Sequence, residues 1–179
     1  MLRFGTFIAL ILSLGVGGCA TSYAVGDRDL PNFRKVNEDL YRGAQPTEQG
    51  LERVRDMGVK TVLNVRTSDD DRAAAEALGL RCEQRGMSPW SPSDDNVIWF
   101  LRIATDPEAQ PVFLHCEHGA DRTGYLVAMY RIVIENWDRQ RAIDEMTADG
   151  MGFHDLYQGL IAYVRNADVE GIRDALAGK

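Results

Sequence analysis

The feature that most constrains this chain is the ten-residue stretch HCEHGADRTG at residues 115–124. It lies between a short apolar run, residues 111–115, and a segment with apolar residues at helical spacing, residues 123–137. The first has the character of a buried parallel strand and the second that of a helix. A strand that leads directly into a helix N-terminus leaves unpaired backbone N–H groups at the positive end of the helix dipole. The junction is therefore a predicted anion site.

Two side chains of this stretch, Cys116 and Arg122, carry complementary chemistry. Thiolate is the attacking form of cysteine, and the field at a helix N-terminus favours it, so Cys116 is the candidate nucleophile. The planar guanidinium of Arg122 is suited to hold two phosphoryl oxygens as charge redistributes. The stretch thus predicts a phosphate-binding catalytic loop. Its candidate phosphate-binding residues are Glu117, His118, Gly119, Ala120, Asp121 and Arg122.

The stretch matches the pattern H-C-x5-R-[ST] and resembles the cysteine-dependent protein tyrosine and dual-specificity phosphatases. The resemblance extends to LYRGAQP at residues 40–46, to residues 58–62 and to residues 130–133, and covers about residues 40–165. The chain is similar in particular to the periplasmic, biofilm-related tyrosine phosphatases of bacteria. The resemblance implies a phosphocysteine intermediate, no metal and no cofactor. It also implies that the hydroxyl of Thr123 eases departure of the thiolate.

The proton donor to the leaving group is not singled out by the sequence. The resemblance implies an aspartic acid on the loop at residues 86–95, where Asp94 and Asp95 occur, but ungapped comparison places that position near Ser91. Asp94 is equally suited to begin a helix, where a carboxylate interacts with the dipole. Asp121 is the alternative, because phosphatases that resemble the Cys-x-x-Gly-x-Asp-Arg-Thr pattern have been argued to use that aspartate. Its other interpretation is a salt link or hydrogen bond that holds the loop.

Strand-like and helix-like segments alternate along the rest of the chain. The strand candidates are residues 40–42, expected at a sheet edge, and residues 59–65 and 80–85; the helix candidates are residues 47–57, 70–78 and 93–104. From residue 123 onward the pattern is helical. We expect an α/β fold with a mostly parallel central sheet flanked by helices, resembling a dual-specificity phosphatase, with the site at the carboxyl edge of the strands and a helical C-terminal third.

The first twenty residues predict export and lipidation. Arg3 precedes an apolar run that is too short to span a membrane, and small residues lead up to Cys19, as in a lipobox. We expect a lipoprotein signal peptide at residues 1–18, a lipidated N-terminus and tether at residues 19–37, and the phosphatase domain at residues 38–179. Acyl chains on Cys19 would anchor the protein to the periplasmic face of a bacterial membrane, by analogy the outer membrane. The alternative is ordinary secretion into the periplasm.

The charge of the chain argues against nucleic acid as a partner, and its cysteine content bears on disulfide formation. Loss of Arg3 with the signal would leave 19 basic and 27 acidic residues, and no basic run occurs, so nucleic acid is not an expected partner. We expect a monomer. Cys82 and Cys116 remain as thiols; we expect them to be free, with a reversible bridge between them as a hypothesis.

We expect an enzyme that hydrolyses a phosphomonoester on a phosphorylated protein, or on a small molecule. Glu117 and Asp121 are acidic and the loop has no lysine, which disfavours an inositol phosphate substrate. A non-catalytic phosphate-binding module is the alternative of another class, and a sulfur transferase is a third. A metal site at His115, Cys116 and His118 is disfavoured, because neighbours on a tight loop rarely converge on one ion.

Overall fold

A mixed five-stranded sheet, in the order β1-β2-β5-β3-β4, organises the chain. The computed structural model describes residues 27–178. β1 is antiparallel to β2, and the other neighbours are parallel. The strands are β1 Arg34–Lys35, β2 Leu40–Gly43, β3 Thr61–Asn64, β4 Arg81–Gln84 and β5 Val112–His115. The helices are α1 Glu48–Asp56, α2 Arg72–Ala77, α3 Asp94–Ala104, α4 Asp121–Val133, α5 Arg139–Thr147, a 3₁₀ helix Asp155–Tyr157, α6 Gln158–Asn166 and α7 Val169–Leu176.

Helices cover both faces of the sheet, which is why the central strands contain few polar side chains. Val62 and Phe113 point to the face on which α1 and α2 pack, whereas Leu63 and Leu114 belong to the larger core under α3 to α7. All four side chains are completely buried. This alternation across buried parallel strands is the expected α/β arrangement. The predicted fold class, including the helical C-terminal third, is confirmed.

The sheet begins earlier in the chain than the sequence indicated. Residues 40–42 were expected at a sheet edge, but β2 is internal, because β1 pairs with its outer side. Leu30 and Phe33, which precede β1, are buried in the core under α1 and α2. The predicted tether at residues 19–37 therefore includes residues that pack within the folded domain. β1 has two residues, both charged, and so carries no apolar alternation that would reveal it.

The two thiols are separated by a whole strand. Cys82 lies on β4 and Cys116 follows β5, with β3 hydrogen-bonded between these strands. Two strand spacings amount to roughly 9–10 Å, whereas disulfide-bonded Cα atoms are usually about 4.4–6.8 Å apart. Both cysteines are free and buried. The hypothesis of a reversible Cys82–Cys116 bridge is therefore wrong for this fold.

No helix within residues 27–178 has the length and apolar character needed to cross a membrane. The predicted signal peptide at residues 1–18 and the predicted lipidation site Cys19 lie outside the described residues.

Candidate active site

The phosphate loop, residues 116–120, connects the end of β5 to the first residue of α4. Ala120 is the N-cap of α4 and provides no side-chain hydrogen bond, so the first N–H groups of this helix are not capped by it. Cys116 is 2% exposed at the point where the central strand ends. The junction has the strand, loop and helix order that the sequence predicted for an anion site.

Arg122 is held at the carboxyl edge of the sheet. Its Nη1 donates long hydrogen bonds of 3.4 Å to the carbonyl oxygens of Val65, just after β3, and Met87, after β4. These contacts fix the guanidinium beside the phosphate loop while its side chain remains partly exposed. Its position is therefore that of a group that can pair with a phosphoryl oxygen.

A polar cleft of about 160 Å³ opens over this loop. Four of the candidate phosphate-binding residues line it: Glu117, His118, Asp121 and Arg122. Gly119 and Ala120 are buried behind them. The other lining residues are Arg66, Thr67, Ser68, Pro89 and Tyr157. The cleft is small and carries two guanidinium groups, which suits a single phosphoryl group.

A buried arginine that the sequence analysis did not single out lies beneath the loop. Nη2 of Arg42 donates to the carbonyl oxygens of Gly119 at 2.8 Å and Ala120 at 3.0 Å, and to Oγ1 of Thr123 at 3.1 Å. Arg42 is 2% exposed, and Thr123 is completely buried. The loop carbonyls point toward Arg42, and their hydrogen bonds with it help set the path of the loop backbone around the predicted anion site.

Burial lowers the pKa of Arg42 to about 10, although the nearby Cys116 and Glu145 oppose this shift. The group therefore remains charged at neutral pH and places a positive charge near Cys116. Gly119 allows the close approach of loop and β2. Its φ is +65°, and a Cβ atom there would lie 2.4 Å from the backbone of Gly43 and Ala44.

Both acidic residues of the loop are already paired. Oε2 of Glu117 accepts from Nε of Arg66 at 2.6 Å. Oδ2 of Asp121 lies 2.8 Å from Nδ1 of His154, and its Oδ1 accepts from the backbone N–H of His154 at 2.8 Å. The repulsion of polyanions expected from these two acids is therefore weaker than the sequence alone indicates.

The other donor candidates, Asp94 and Asp95, do not line the cleft. Oδ1 of Asp94 accepts from the hydroxyl of Tyr163 at 2.5 Å, in the first turn of α3, whose N-cap is Ser93. Asp95 faces a separate groove with Trp99 and Arg102. The structure therefore favours the helix N-terminal interpretation of Asp94 and does not bring either carboxylate to Cys116.

His115 belongs to a buried polar cluster behind the nucleophile. Its Nε2 lies 2.8 Å from Oδ2 of Asp71, whose other oxygen accepts from Asn64 at 2.7 Å. Burial alone would raise the pKa of Asp71, but the contacts with His115 and Asn64 lower it below its usual value. Asp71 is the last of three consecutive acids, a pattern typical of a solvated helix start, yet it is 5% exposed.

An aromatic rim, defined by Trp90, His118, His154 and Tyr157, borders the cleft. The ring centroids of Trp90 and Tyr157 are 4.8 Å apart, and those of His118 and His154 are 5.5 Å apart, both edge to face. Trp90 is 63% exposed, so it forms the rim and does not plug the core. His154 lies in the connection between α5 and α6 and packs against His118 and Tyr157, which line the cleft.

Among residues 27–178, no three or more His, Cys, Asp or Glu side chains are placed to hold a metal ion. The sheet order, the thiol at the end of β5 and the arginine opening α4 define a cysteine-dependent phosphatase of the dual-specificity type. The chain belongs to this family: residues 25–161 match the family described as DSP-PTPase phosphatase fused to NAD+ kinase.

Individual relatives agree with this assignment. The chain is 39% identical over 147 residues to the dual specificity protein phosphatase TpbA of Pseudomonas aeruginosa UCBPP-PA14, covering 82% of this chain and 67% of TpbA. The crystal structure of a cysteine-to-serine variant of P. aeruginosa TpbA in complex with phosphotyrosine superposes with a TM-score of 0.74 at 37% identity, covering 83% and 91% of the two chains. A second relative, the inositol diphosphatase DSP5 of Arabidopsis thaliana, is 26% identical over 129 residues, covering 64% of this chain and 60% of DSP5.

Proposed function

We propose that this enzyme dephosphorylates phosphotyrosine, and also phosphoserine or phosphothreonine, in proteins on the periplasmic side of a bacterial membrane. The observation that carries the proposal is the placement of Cys116 and Arg122 at opposite ends of one loop, at the start of α4. The similarity to TpbA, which has been crystallised with phosphotyrosine, supports this class of substrate.

In the proposed reaction, Sγ of Cys116 attacks phosphorus while the bond to the leaving oxygen breaks. Arg122 and the N–H groups at the start of α4 stabilise the charge on the phosphoryl oxygens. Water then attacks the phosphocysteine, and the S–P bond breaks to return the thiolate and release phosphate. In this proposal the hydroxyl of Thr123, whose oxygen accepts from Arg42, donates a hydrogen bond to the departing sulfur, as the family resemblance implies.

Inositol phosphates are the second candidate, because one relative is named an inositol diphosphatase. A densely phosphorylated ring needs several unpaired cations near the cleft. The cleft contains Arg122 and Arg66, and Arg66 is already paired with Glu117 and Asp70. The aromatic rim also offers Trp90 and Tyr157 as surfaces for an aryl group. The shortage of unpaired cations and the presence of aromatic rings both favour a phosphoprotein over an inositol phosphate as the substrate.

A substrate comparison tests the proposed activity. The full chain is assayed in EDTA with a phosphotyrosine peptide and with an inositol polyphosphate. We expect kcat/KM for phosphate release from the peptide to be at least about tenfold higher than that for release from the inositol polyphosphate. Rapid acid quenching is expected to trap a phosphoenzyme on Cys116. The reverse preference would support the inositol phosphate alternative. A failure to release phosphate from any phosphomonoester would instead support the non-catalytic phosphate-binding module.

The proposed location depends on the sequence of residues 1–19, with Cys19 as the acylated residue. The full chain expressed in a Gram-negative bacterium is expected to sediment with outer membranes after cell fractionation. Cys19→Ser removes the acylated thiol and is expected to move most of the protein out of the membrane fraction. The matched control is Cys82→Ser, which leaves the predicted anchor intact. Equal membrane association of both variants would exclude anchoring through Cys19.

A further inference from the structure

We propose that His154 is the proton donor to the leaving group and that Asp121 is the residue that positions it. This inference rests on the proposed phosphatase function and completes it, because the loop at residues 86–95 brings no carboxylate into the cleft. His154 lies outside the signature stretch, in the connection that precedes the 3₁₀ helix.

The Asp121 carboxylate holds His154 through two atoms. Oδ1 accepts from the backbone N–H and Oδ2 from ring Nδ1, both at 2.8 Å. Asp121 is 5% exposed, whereas the side chain of His154 is 51% exposed. A buried carboxylate on Nδ1 fixes the ring orientation and keeps a proton on that nitrogen, so the reactive nitrogen is Nε2. Within residues 27–178, Nε2 takes no hydrogen bond.

The imidazole packs edge to face against two side chains that line the cleft. Its centroid is 5.5 Å from that of His118 and 6.2 Å from that of Tyr157, and both of these residues line the cleft. Asn32 ties the two sides together, because its Nδ2 donates to the carbonyl oxygens of Gly119 at 3.0 Å and Met151 at 3.2 Å. The loop bearing His154 is thus bonded to the phosphate loop.

Asp121 is poorly placed to donate a proton itself. Both of its oxygens accept hydrogen bonds from His154, so both are already occupied by groups other than the substrate. Because Nδ1 of His154 is held by the carboxylate, Nε2 is the ring nitrogen that can carry a proton toward the leaving oxygen. The pair therefore works as a dyad in which the aspartate orients and the histidine transfers the proton.

The proton that His154 donates is returned to His154 within one catalytic cycle. As the S–P bond to Cys116 forms and the bond to the leaving oxygen breaks, imidazolium Nε2 gives its proton to that oxygen. Neutral His154 then takes a proton from the water that attacks phosphorus, the S–P bond breaks, and the thiolate and imidazolium are restored. The titratable groups in contact with His154 are Asp121, His118 and Tyr157, and Arg34 bonds to Gly150 in the same connection. Arg122 lines the cleft together with His118, Asp121 and Tyr157.

Leaving-group dependence is the primary test. His154→Ala in the full chain is expected to lower kcat for phenyl phosphate by about 100-fold, because a general acid contributes at least that much for a poor leaving group. For a strongly activated aryl phosphate the loss is expected to stay below about tenfold, since that leaving group departs without protonation. Addition of free imidazole is expected to restore part of the phenyl phosphate activity, which a purely structural role of His154 would not allow.

The matched control is His118→Ala, which removes the neighbouring imidazole of the rim. It is expected to affect both substrates by the same factor. Asp121→Asn is expected to reproduce the leaving-group dependence of His154→Ala, and the double variant to be no worse than either, because residues that act as a unit are not additive.

The pH profile separates the two possible donors. With phenyl phosphate, an enzyme that uses an imidazole donor is expected to keep its activity to a higher pH than one that uses a carboxyl donor. Equal losses for both substrates in His154→Ala would overturn the proposal. It would also be overturned if Asp121→Asn alone showed the leaving-group effect, which would make Asp121 the donor. Because turnover of the activated substrate monitors Cys116 independently, failure of this proposal is distinguishable from failure of the proposed function.

Discussion

Replacing Cys116 by serine is expected to reduce phosphate release by more than about a thousandfold, because a serine hydroxyl at this position is a far weaker nucleophile than a thiolate. The substitution changes one atom of a side chain that is 2% exposed, so the fold and the affinity for the phosphoester are expected to persist. The measurement is steady-state phosphate release from a phosphotyrosine peptide, with peptide binding followed by calorimetry.

Cys82→Ser is the matched control, since Cys82 is the other cysteine within the described residues. It lies on β4, on the face of the sheet covered by α1 and α2, and burial raises its thiol pKa to about 11. A neutral thiol in the core has no role in attack, so this variant is expected to keep its activity. Activity that survives Cys116→Ser but not Cys82→Ser would contradict the phosphocysteine mechanism.

Replacing Arg42 by methionine is expected to damage both activity and stability. The loop carbonyls of Gly119 and Ala120 and the hydroxyl of Thr123 lose a charged donor, which corresponds to about 2–3 kcal/mol in the free energy of unfolding. The backbone N–H groups that face the phosphoryl oxygens would shift with those carbonyls. We expect kcat/KM to fall by about 10²–10³ fold, the scale of a misplaced oxyanion site.

Two further variants make the Arg42 prediction specific. Arg42→Lys keeps the charge but not the planar group, and is expected to recover part of the stability and little of the activity. Arg55→Met, on the surface of α1, removes an exposed guanidinium bonded to its neighbour Asp56 and is expected to change neither. Full activity in Arg42→Met, measured with thermal unfolding in parallel, would show that the loop holds its shape without the buried arginine.

The sequence predicted the parts of the site that are adjacent in the chain. Cys116, Arg122 and the helix that follows them are local features, and a strand, loop and helix junction has only a few possible geometries. The alternation of strand and helix segments likewise predicted a mostly parallel sheet, because parallel strands need crossover connections. Helix capping is local as well: Thr47, the first residue of the helix expected at residues 47–57, caps α1.

The residues that the sequence did not reveal are those that reach the site from elsewhere. Arg42 is separated from Gly119 by 77 positions and His154 from Asp121 by 33. Neither is marked by a spacing rule, although LYRGAQP belonged to the motifs that carried the family resemblance. Asp71 appeared as one of three consecutive acids, a pattern typical of a solvated surface, and only the packing of α2 against the sheet buries it.

The bonds from Asn32 and Arg42 to the loop carbonyls hold the backbone through groups other than the phosphoester. The conformational entropy of these loop residues is consequently lost when the chain folds and not when a substrate arrives. When a tetrahedral oxyanion binds to a loop that is already ordered, little of the interaction energy is lost to ordering the loop. More of that energy is then available to discriminate the trigonal-bipyramidal transition state from the ground state.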